Sequence, residues 1–385
     1  MQNIAIIGRE KSLAYAEMES VFGDINKVGR DTVIFTGGGP ESIKNLGSVI
    51  KIGQIFEECT TSSNYLGKII DHIASHFASS SVRSIDFGIS VYGNQINDKT
   101  YKNILIQIKK GLRQKQIKSR FVVPKKQLEL NAAQVIHNNL IGTGIEIIIT
   151  GDDANLILAE TTQIQDIDSY SLRDFGRPSR DMKIGMFPPK LAQIMLNLAD
   201  FSPQAIVYDP FCGSGVVLQE AMLRGNTAWG SDIAEAMVRS TTENINWLTN
   251  QYNLSIPFDV FIADATRIDK VPEGQYSIVT EGYLGTMLSN TPTPDQIEQL
   301  RGELSHLYLN FLKKIKSLSN QPQSIVLSLP CWQTKEALNM LEIIDQINNL
   351  GYTVKQFKSV ETNNLIYKRE EQIVGRQIVV LQPHK

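Results

Sequence analysis

Short apolar runs alternate with longer, helix-length segments from residue 186 to the end of the chain, and this alternation constrains the fold more than any other feature. The apolar runs predict seven strands, at residues 205–208, 227–232, 258–262, 277–280, 324–329, 353–358 and 372–381. The segments around them predict helices at residues 189–199, 216–223, 235–250, 294–318 and 335–350. Strands joined by crossover helices are typical of a parallel sheet with helices on both faces. We therefore expect a doubly wound α/β domain over residues 186–385, with an antiparallel return at one edge.

The first 165 residues do not follow this regular pattern. Residues 1–60 contain short apolar runs around one helix, which predicts a small amino-terminal α+β domain. Residues 61–165 alternate between helices and strands and predict a second small α/β domain. Residues 166–185 are polar and rich in turn formers, and we interpret them as a linker.

Composition excludes several classes of protein. A hydrophobic fraction of 42% and a charged fraction of 20% are typical of a soluble globular chain. No apolar run approaches the roughly 18 residues of a membrane span, so no membrane partner is expected. Three cysteines without a CxxC spacing argue against a disulfide scaffold or a cysteine-rich zinc site. The start of the sequence lacks the pattern of a signal peptide, so we expect a cytoplasmic protein. We also expect no bound metal, because the cysteines lack a metal-ligand spacing and His72 and His76 lack a third ligand.

One stretch is strongly basic although the whole chain has a net charge of −2. Ten lysines and arginines and no acid lie between Lys99 and Lys126, on a predicted amphipathic helix and the strand after it. Such a patch is typical of a surface that binds phosphates through counterion release. The candidate RNA-binding residues are Lys109, Lys110, Arg113, Lys115, Lys118 and Arg120.

The strongest chemical signal is the segment at the end of the first predicted strand of residues 186–385. It contains Asp209, Phe211, Cys212, Gly213, Ser214 and Gly215. Glycines at the start of a helix let a ligand approach the backbone closely. The third glycine of a dinucleotide loop is missing, and the acid before the loop would repel a pyrophosphate. An acid there suits a cationic ammonium group instead, which points to S-adenosylmethionine as the cofactor.

Further acids follow the next two predicted strands. Asp232 ends the second strand and is followed by Ile233, and a carboxylate at this position can accept hydrogen bonds from both hydroxyls of a ribose. Asp264 and Ala265 follow the third strand, where a carboxylate could accept from an adenine amino group. Three acids at three neighbouring strand ends predict one nucleoside pocket.

These motifs resemble those of the THUMP-containing tRNA guanosine N2-methyltransferases. Residues 209–215 and 230–233 resemble their cofactor loop and second strand, residues 185–192 the helix before their catalytic core, and residues 372–378 their final hairpin. Residues 8–17 resemble their amino-terminal segment. The resemblance implies a Rossmann-like, seven-stranded methyltransferase sheet at the carboxy terminus and makes residues 61–165 a THUMP-like domain that binds tRNA.

The loop after the fourth strand departs from this family. The family has Asp or Asn, Pro, Pro and Tyr there, whereas this chain has Glu281, Gly282 and Tyr283 after Thr280. An exocyclic amine that attacks a sulfonium methyl group needs an acceptor for its hydrogens, and an aromatic ring can hold the base. Glu281 is therefore the candidate acceptor and Tyr283 the candidate stacking platform. We expect Gly282 to loosen the loop, because it replaces the double proline.

The resemblance implies S-adenosylmethionine-dependent methylation of an exocyclic amine in RNA, the N2 of a guanosine in tRNA. One alternative is a catalytically inactive RNA-binding protein that retains the cofactor fold, and the altered loop motivates it. A second alternative is a DNA amino-methyltransferase, which uses the same loop chemistry. The sequence sets no expectation for a small activating partner protein or for the oligomeric state.

Overall fold

A computed structural model describes residues 2–39, 41–78, 83–93, 96–125, 128–152, 154–180, 187–199 and 204–384. The chain forms two compact units. The first unit consists of Met1–Lys11, Phe22–Lys44 and Val49–Ile167. The second unit consists of Ser12–Val21, Asn45–Ser48 and Asp168–Lys385. The two units therefore interleave along the sequence, because one early helix belongs mostly to the second unit.

An eight-stranded sheet forms the first unit. Its strands are β1 (Gln2–Ile7), β2 (Asn26–Val28), β3 (Thr32–Thr36), β4 (Val49–Thr60), β5 (Ile85–Val91), β6 (Ser119–Val122), β7 (Ile145–Gly151) and β8 (Asn155–Ile164). They lie in the order β2-β3-β1-β4-β8-β7-β5-β6, and β5 runs parallel to β6 and β7 while the other neighbours are antiparallel. The helices of this part of the chain are α1 (Lys11–Phe22), α2 (Tyr65–Ala78), α3 (Asp98–Gln114) and α4 (Ala132–His137).

The core of the first unit lies between this sheet and helices α2 and α3. Ile69 and Ile108 on the helices pack with Phe87 and Ile147 on the strands, and all four side chains are fully buried. The strands of residues 1–60 and of residues 61–165 share one sheet, so no sheet boundary separates them at residue 60. The assignment of residues 61–165 as THUMP-like stays a prediction.

A second sheet organises the other unit. Its strands are β9 (Ile206–Asp209), β10 (Ala228–Asp232), β11 (Phe258–Ile262), β12 (Tyr276–Thr280), β13 (Ile325–Gln333), β14 (Leu338–Met340), β15 (Tyr352–Val354), β16 (Ile366–Tyr367) and β17 (Val374–Pro383). The main path is β11-β10-β9-β12-β13-β17-β15, with β14 beside β13 and β16 beside β17. The first five strands of that path are parallel, and β17 is antiparallel to β13 and β15. The helices are α5 (Ile167–Phe175), α6 (Pro189–Leu198), α7 (Val216–Leu223), α8 (Glu235–Tyr252), α9 (Pro294–Lys316) and α10 (Ile344–Asn349).

This sheet is buried on both faces, as the apolar strand runs predict. Successive side chains of a strand point to opposite faces. Val207 and Val279 accordingly pack in a core with α6 and α7, whereas Tyr208 and Ile278 pack in a core with α9 and α10. The seven-stranded path with its antiparallel return confirms the prediction of a doubly wound, Rossmann-like domain.

The helix predicted over residues 335–350 is wrong in its first half. Leu338–Met340 forms strand β14 and pairs with the end of β13, and only Ile344–Asn349 is helical. A turn starts the hairpin, because the Thr334 hydroxyl accepts from the Ala337 amide at 3.1 Å. The contact with β13 overrides the local helical preference.

The linker predicted over residues 166–185 contains helix α5. This helix is held by buried side chains, since Arg173 Nε donates to Glu220 Oε1 on α7 at 2.7 Å and the Tyr170 hydroxyl donates to Gln193 on α6. The polar composition of this segment is typical of a linker, but its polar side chains form hydrogen bonds with residues that are distant in sequence. Composition alone does not show these bonds. Residues 181–186, which include the start of the 185–192 motif, lie outside the described residues.

Candidate functional site

Residues 209–215 connect β9 to α7 through a tight turn at the carboxyl edge of the sheet. Gly213 and Gly215 have φ angles of +51° and +81°, the left-handed region that favours glycine. A Cβ on Gly215 would lie 2.7 Å from Thr241 Cγ2, whereas a Cβ on Gly213 would meet no atom closer than 4.0 Å. Gly215 is therefore needed for packing, and Gly213 leaves open space beside the backbone.

Side chains of α8 fix the conformation of this loop. The Thr241 hydroxyl donates to the Gly213 carbonyl at 2.7 Å, and Asn244 Nδ2 donates to the Ser214 carbonyl at 2.9 Å. Asn244 also holds Ser179, by donating to its carbonyl at 2.9 Å and accepting from its amide at 3.0 Å. The loop is thus held in place by the protein itself, as a preorganised binding site requires.

Asp209 is a buried acid at the start of the loop, with 2% of its surface exposed. Its carboxylate accepts from the Phe211 amide at 3.1 Å and from the Thr280 hydroxyl. Burial raises the pKa of Asp209 to about 7, and the carboxylates of Asp232 and Glu281 add to that rise against the two hydrogen bonds. A cationic ligand group beside it would favour the ionised form.

The Asp232 side chain is joined to the glycine loop by a hydrogen bond from a backbone amide. Its Oδ2 accepts from the Gly213 amide at 3.0 Å and its Oδ1 accepts from the Ala234 amide at 2.9 Å. A carboxylate oxygen has two lone pairs, so each oxygen keeps one acceptor site for a ligand. The neighbouring Ile233 side chain is 71% exposed, which leaves an apolar surface next to this carboxylate.

Asp264 follows β11 and caps a short 3₁₀ turn at Ala265–Arg267. Its Oδ1 accepts from the amide and the hydroxyl of Thr266, each at 2.8 Å, and its Oδ2 lies 3.7 Å from Arg267 Nε. The Ala263 amide donates to the Asp232 carbonyl at 3.0 Å, so this strand end adjoins the previous one. The contact of Asp264 and Ala265 with an adenine stays a prediction.

A cavity of about 400 Å³ lies beside the loop, within the usual size range of small-molecule sites. Its lining is Arg177, Ser179, Arg180, Phe187, Asp209, Phe211, Cys212, Gly213, Ser214, Val216, Val217, Ala236, Met237, Ser240 and Glu281. Of the predicted cofactor residues, the structure thus brings Asp209 and residues 211–214 to one cavity. A buried acid, an open glycine backbone and an adjoining carboxylate with spare lone pairs fit a ligand that carries an ammonium group and a ribose.

The loop after β12 places Glu281 in the same cavity. Gly282 has a φ of +72°, and a Cβ there would lie 2.5 Å from the hydroxyl oxygen of Tyr308. That hydroxyl donates to the Tyr283 carbonyl at 2.8 Å, while the Tyr283 side chain is 47% exposed. Packing on Tyr308 therefore constrains the loop that lacks the double proline.

Glu281 forms an ion pair with Arg376 on β17. Arg376 Nε and Nη2 lie 2.7 and 2.5 Å from Glu281 Oε1. Burial raises the pKa of Glu281, and the positive charge of Arg376 opposes that rise. Sequence reasoning missed this partner because it lies 95 residues away. The signal that could have found it is the lone charge within the strand of residues 374–383.

The basic patch lies in the first unit, on α3 and β6, and all six predicted RNA-binding side chains are exposed. Two of them are paired with acids from other segments: Lys115 with Asp71 at 2.9 Å, and Arg120 with Asp86 through two hydrogen bonds of 3.0 and 2.5 Å. Within the described residues, the remaining four have no ion-pair partner: Lys109, Lys110, Arg113 and Lys118. These four carry the uncompensated charge of the patch.

The described residues contain neither a metal-ligand cluster nor a membrane-spanning helix. No group of three or more His, Cys, Asp or Glu side chains there could hold a metal ion. No helix in the same residues is long and apolar enough to cross a bilayer. His72 and His76, which are four residues apart on α2, both contact the Glu160 carboxylate, at 2.7 and 3.2 Å.

Comparison with known proteins gives three related findings. Residues 177–342 match the profile of the family UPF0020, described as an RMKL-like methyltransferase domain. The tRNA (guanine(10)-N2)-dimethyltransferase of Methanothermobacter thermautotrophicus is 32% identical over 155 residues, which are 40% of this chain and 41% of that protein. The enzyme of the same name from Pyrococcus abyssi is 32% identical over 138 residues, 35% of this chain and 37% of that protein. The chain thus spans about two fifths of the length of the curated relatives that it matches.

Solved structures share the fold over nearly the whole chain. The crystal structure of TrmN from Thermus thermophilus has a TM-score of 0.50 and 16% identity, and the match covers 99% of each chain. A methylase structure from Clostridium difficile 630 has a TM-score of 0.51 and 13% identity, with 100% of this chain and 98% of that chain covered. At these identities the likeness concerns the fold. Residues 177–342 are thus similar to the RMKL-like methyltransferase domain, and the strand order of the second unit is that of a doubly wound sheet.

Proposed function

We propose that this protein uses S-adenosylmethionine to methylate an exocyclic amine in RNA, the N2 of a guanosine in tRNA. The observation that carries the proposal is the hydrogen bond between Asp232 and the Gly213 amide, which joins a ribose-type carboxylate to a glycine loop beside a cavity. The names of the archaeal relatives supply the class of acceptor, because both are tRNA guanine-N2-dimethyltransferases.

The residues of the loop hold the cofactor in this proposal. S-adenosylmethionine, when bound, supplies a methyl group on a sulfonium sulfur. Asp209 binds the ammonium end, and Gly213 allows close approach of the ligand to the backbone. Asp232 accepts from the ribose hydroxyls. Ile233, Asp264 and Ala265 border the adenine, and the loop between Asp209 and α7 is shaped by Phe211, Cys212, Ser214 and Gly215.

Glu281 and Tyr283 receive the base. Glu281 accepts a hydrogen bond from the guanine amine, so that the nitrogen lone pair becomes available, and the exposed Tyr283 ring stacks on the extruded base. Transfer forms a nitrogen–carbon bond and breaks the sulfur–carbon bond, whose electron pair stays on sulfur. The proton released from the amine passes to the Glu281 carboxylate and then to water. The contribution of these residues is orientation and polarisation rather than strong acid–base catalysis.

In this proposal the first unit binds the RNA. Lys109, Lys110, Arg113 and Lys118 offer uncompensated positive charge on one exposed surface, and A-form RNA is recognised mainly through its backbone and shape. Lys115 and Arg120 can also reach phosphates if they leave their acidic partners. With tRNA as the substrate, we expect the protein in the cytoplasm.

The test measures transfer of tritium-labelled methyl groups from S-adenosylmethionine to tRNA, to duplex DNA and to no nucleic acid, with the full chain. We expect label in tRNA alone, and loss of that label in Asp232→Ala and Glu281→Ala. Asp259→Ala is the matched control, because Asp259 lies on β11 of the same sheet and pairs with Lys270 outside the cavity lining.

Two other outcomes would overturn the proposal in distinguishable ways. Binding of S-adenosylhomocysteine and tRNA without any transfer would support the inactive RNA-binding protein. Label in duplex DNA in preference to tRNA would support the DNA amino-methyltransferase.

A further inference from the structure

Arg376 is a buried cation on an otherwise uncharged strand. It is 5% exposed, and the rings of Phe187 and Tyr367 lie 5.8 and 6.0 Å from its guanidinium carbon. Its Nε and Nη2 both point at one oxygen of Glu281, Oε1, at 2.7 and 2.5 Å. A guanidinium that is fixed by packing can hold a carboxylate in one orientation.

The second oxygen of Glu281 has a different environment. Within the described residues, Oε2 accepts no hydrogen bond, and the Glu281 side chain lines the cavity beside the glycine loop. One oxygen is therefore used to orient the carboxylate, and the other is available to a ligand. A carboxylate that accepts a hydrogen bond from an incoming amine needs one oxygen without a partner and a fixed orientation.

We propose that Arg376 is a positioning residue that holds Glu281 ionised and turned so that Oε2 receives the amine of the target base. This inference rests on the proposed function, and it adds a residue that acts through Glu281 without touching the substrate. During transfer, Oε2 accepts a hydrogen bond from the amine, and after the nitrogen–carbon bond forms it takes up the released proton.

The charges around Glu281 explain why a cation is needed. Within the described residues, Glu281 raises the pKa of Asp209 on β9 and of Tyr308 on α9, and Arg177 and Arg180 line the same cavity. The repulsion between two carboxylates is mutual, so the carboxylate of Asp209 opposes ionisation of Glu281. Burial also raises the pKa of Glu281, and Arg376 is the group that lowers it. Without Arg376 the carboxyl would be protonated to a higher pH and would lose its role as an acceptor.

The experiment compares wild type, Arg376→Gln, Arg376→Lys and Glu281→Gln in steady-state methylation of tRNA between pH 6 and 9. We expect Arg376→Gln to lower kcat about 10²-fold at pH 7, with KM for tRNA changed less than about threefold. Its rate should recover with rising pH, so that the acidic limb of its profile moves up by about one pH unit or more. Arg376→Lys keeps a cation and should restore part of the rate, whereas Glu281→Gln should stay low at every pH.

Two readouts do not depend on turnover. Affinity for S-adenosylhomocysteine, measured by calorimetry, should stay within about threefold of wild type in Arg376→Gln. The thermal unfolding midpoint of Arg376→Gln should fall as the pH rises between 6 and 9, because a folded protein loses stability when a carboxyl with a raised pKa ionises. The double variant Arg376→Gln with Glu281→Gln lacks this carboxyl, so its midpoint should fall less steeply. Arg301→Gln is the control, since Arg301 pairs with the exposed Glu342.

Several results would overturn this inference. One is a loss of rate in Arg376→Gln by the same factor at every pH. Another is an unfolding midpoint whose pH dependence does not change on adding Glu281→Gln. If Arg376→Gln does not fold, an Arg376→Lys profile identical to wild type in rate and in acidic limb would count against it. Failure of the proposed function is distinguishable, because wild type would then transfer no methyl group while the unfolding comparison still reports on the pair.

Discussion

The proposed contact between Asp209 and the ammonium group of the cofactor predicts a cofactor affinity that depends on pH, because the buried Asp209 carboxyl has a pKa of about 7. Below that pH the carboxyl of the free protein is mainly protonated, whereas a bound ammonium group favours the ionised form. We therefore expect the affinity for S-adenosylhomocysteine, which keeps the ammonium group, to rise with pH and level off above about 7. Asp209→Asn removes the titrating group and with it this rise.

The size of the effect follows from the ionised fraction of the carboxyl. With a pKa of about 7, the association constant at pH 6 is about elevenfold below its plateau, and at pH 5.5 about thirtyfold below it. Binding at pH 6 also releases about 0.9 proton per ligand. An α-amino group at a peptide terminus has a pKa of about 7.7–8.0, and the adjacent carboxylate of a free amino acid raises that pKa further, so the ligand stays cationic across this range.

Calorimetric titration with S-adenosylhomocysteine from pH 5.5 to 8, in two buffers of different ionisation enthalpy at each pH, measures the plateau and both quantities. Asp259→Asn is the control, because this acid is partly exposed and lies outside the cavity lining. An affinity in wild type that does not change between pH 5.5 and 7 would refute the reasoning. An Asp209→Asn variant that keeps the wild-type pH dependence would refute it as well.

The remaining predictions concern the loop, the first unit and the RNA surface. Gly282→Ala should lower the rate of methyl transfer more than tenfold and destabilise the fold by about 1–3 kcal/mol, because the glycine has a positive φ and a Cβ would clash with a tyrosine hydroxyl. Glu146→Ala should lower the free energy of unfolding by about 3–5 kcal/mol in denaturant titrations, because it leaves the fully buried Lys51 without its carboxylate. Lys110→Glu with Arg113→Glu should weaken tRNA binding and reduce the slope of log affinity against log salt by about 2.

Each of these predictions has a matched control. Cofactor affinity within about threefold of wild type in Gly282→Ala would assign its loss of rate to the loop, and an unchanged rate would contradict the argument. Glu57→Ala removes a partly exposed partner of Lys68 and should lower the free energy of unfolding by less than about 1 kcal/mol. An equally small loss for Glu146→Ala would contradict the larger cost expected for breaking a buried ion pair. Lys335→Gln, an exposed residue of the second unit, should leave the salt slope unchanged.

The sequence was sufficient to predict the strand ends of the second unit, because their order follows from local patterns. Alternating strands and helices form a parallel sheet, and the residues that follow such strands meet at one edge. Asp209 and Gly213 therefore line one cavity and Asp232 accepts from the Gly213 amide, whereas Asp232 and Asp264 are not among the residues that line that cavity. The position of Glu281 in the same cavity follows from the same rule, since it comes directly after β12.

Features that depend on distant partners could not be predicted. The stretch at residues 335–350 has helical character by itself, but the pairing of Leu338–Met340 with β13 decides its structure. The partners of Lys115 and Arg120 come from other elements, so a basic stretch without acids in sequence still contains two ion pairs. Arg376 and Glu281 are 95 residues apart, so the hydrophobic periodicity around either residue does not indicate their contact.

Nucleoside mass spectrometry of tRNA, after incubation with the full chain and S-adenosylmethionine, shows which atom of which base receives the methyl group. We expect a mass increase on guanosine, with fragments that assign N2-methylguanosine or N2,N2-dimethylguanosine. Both products should be missing from the Asp232→Ala reaction and present with Asp259→Ala. Methylation of another base, or of a guanosine position other than N2, would contradict the account.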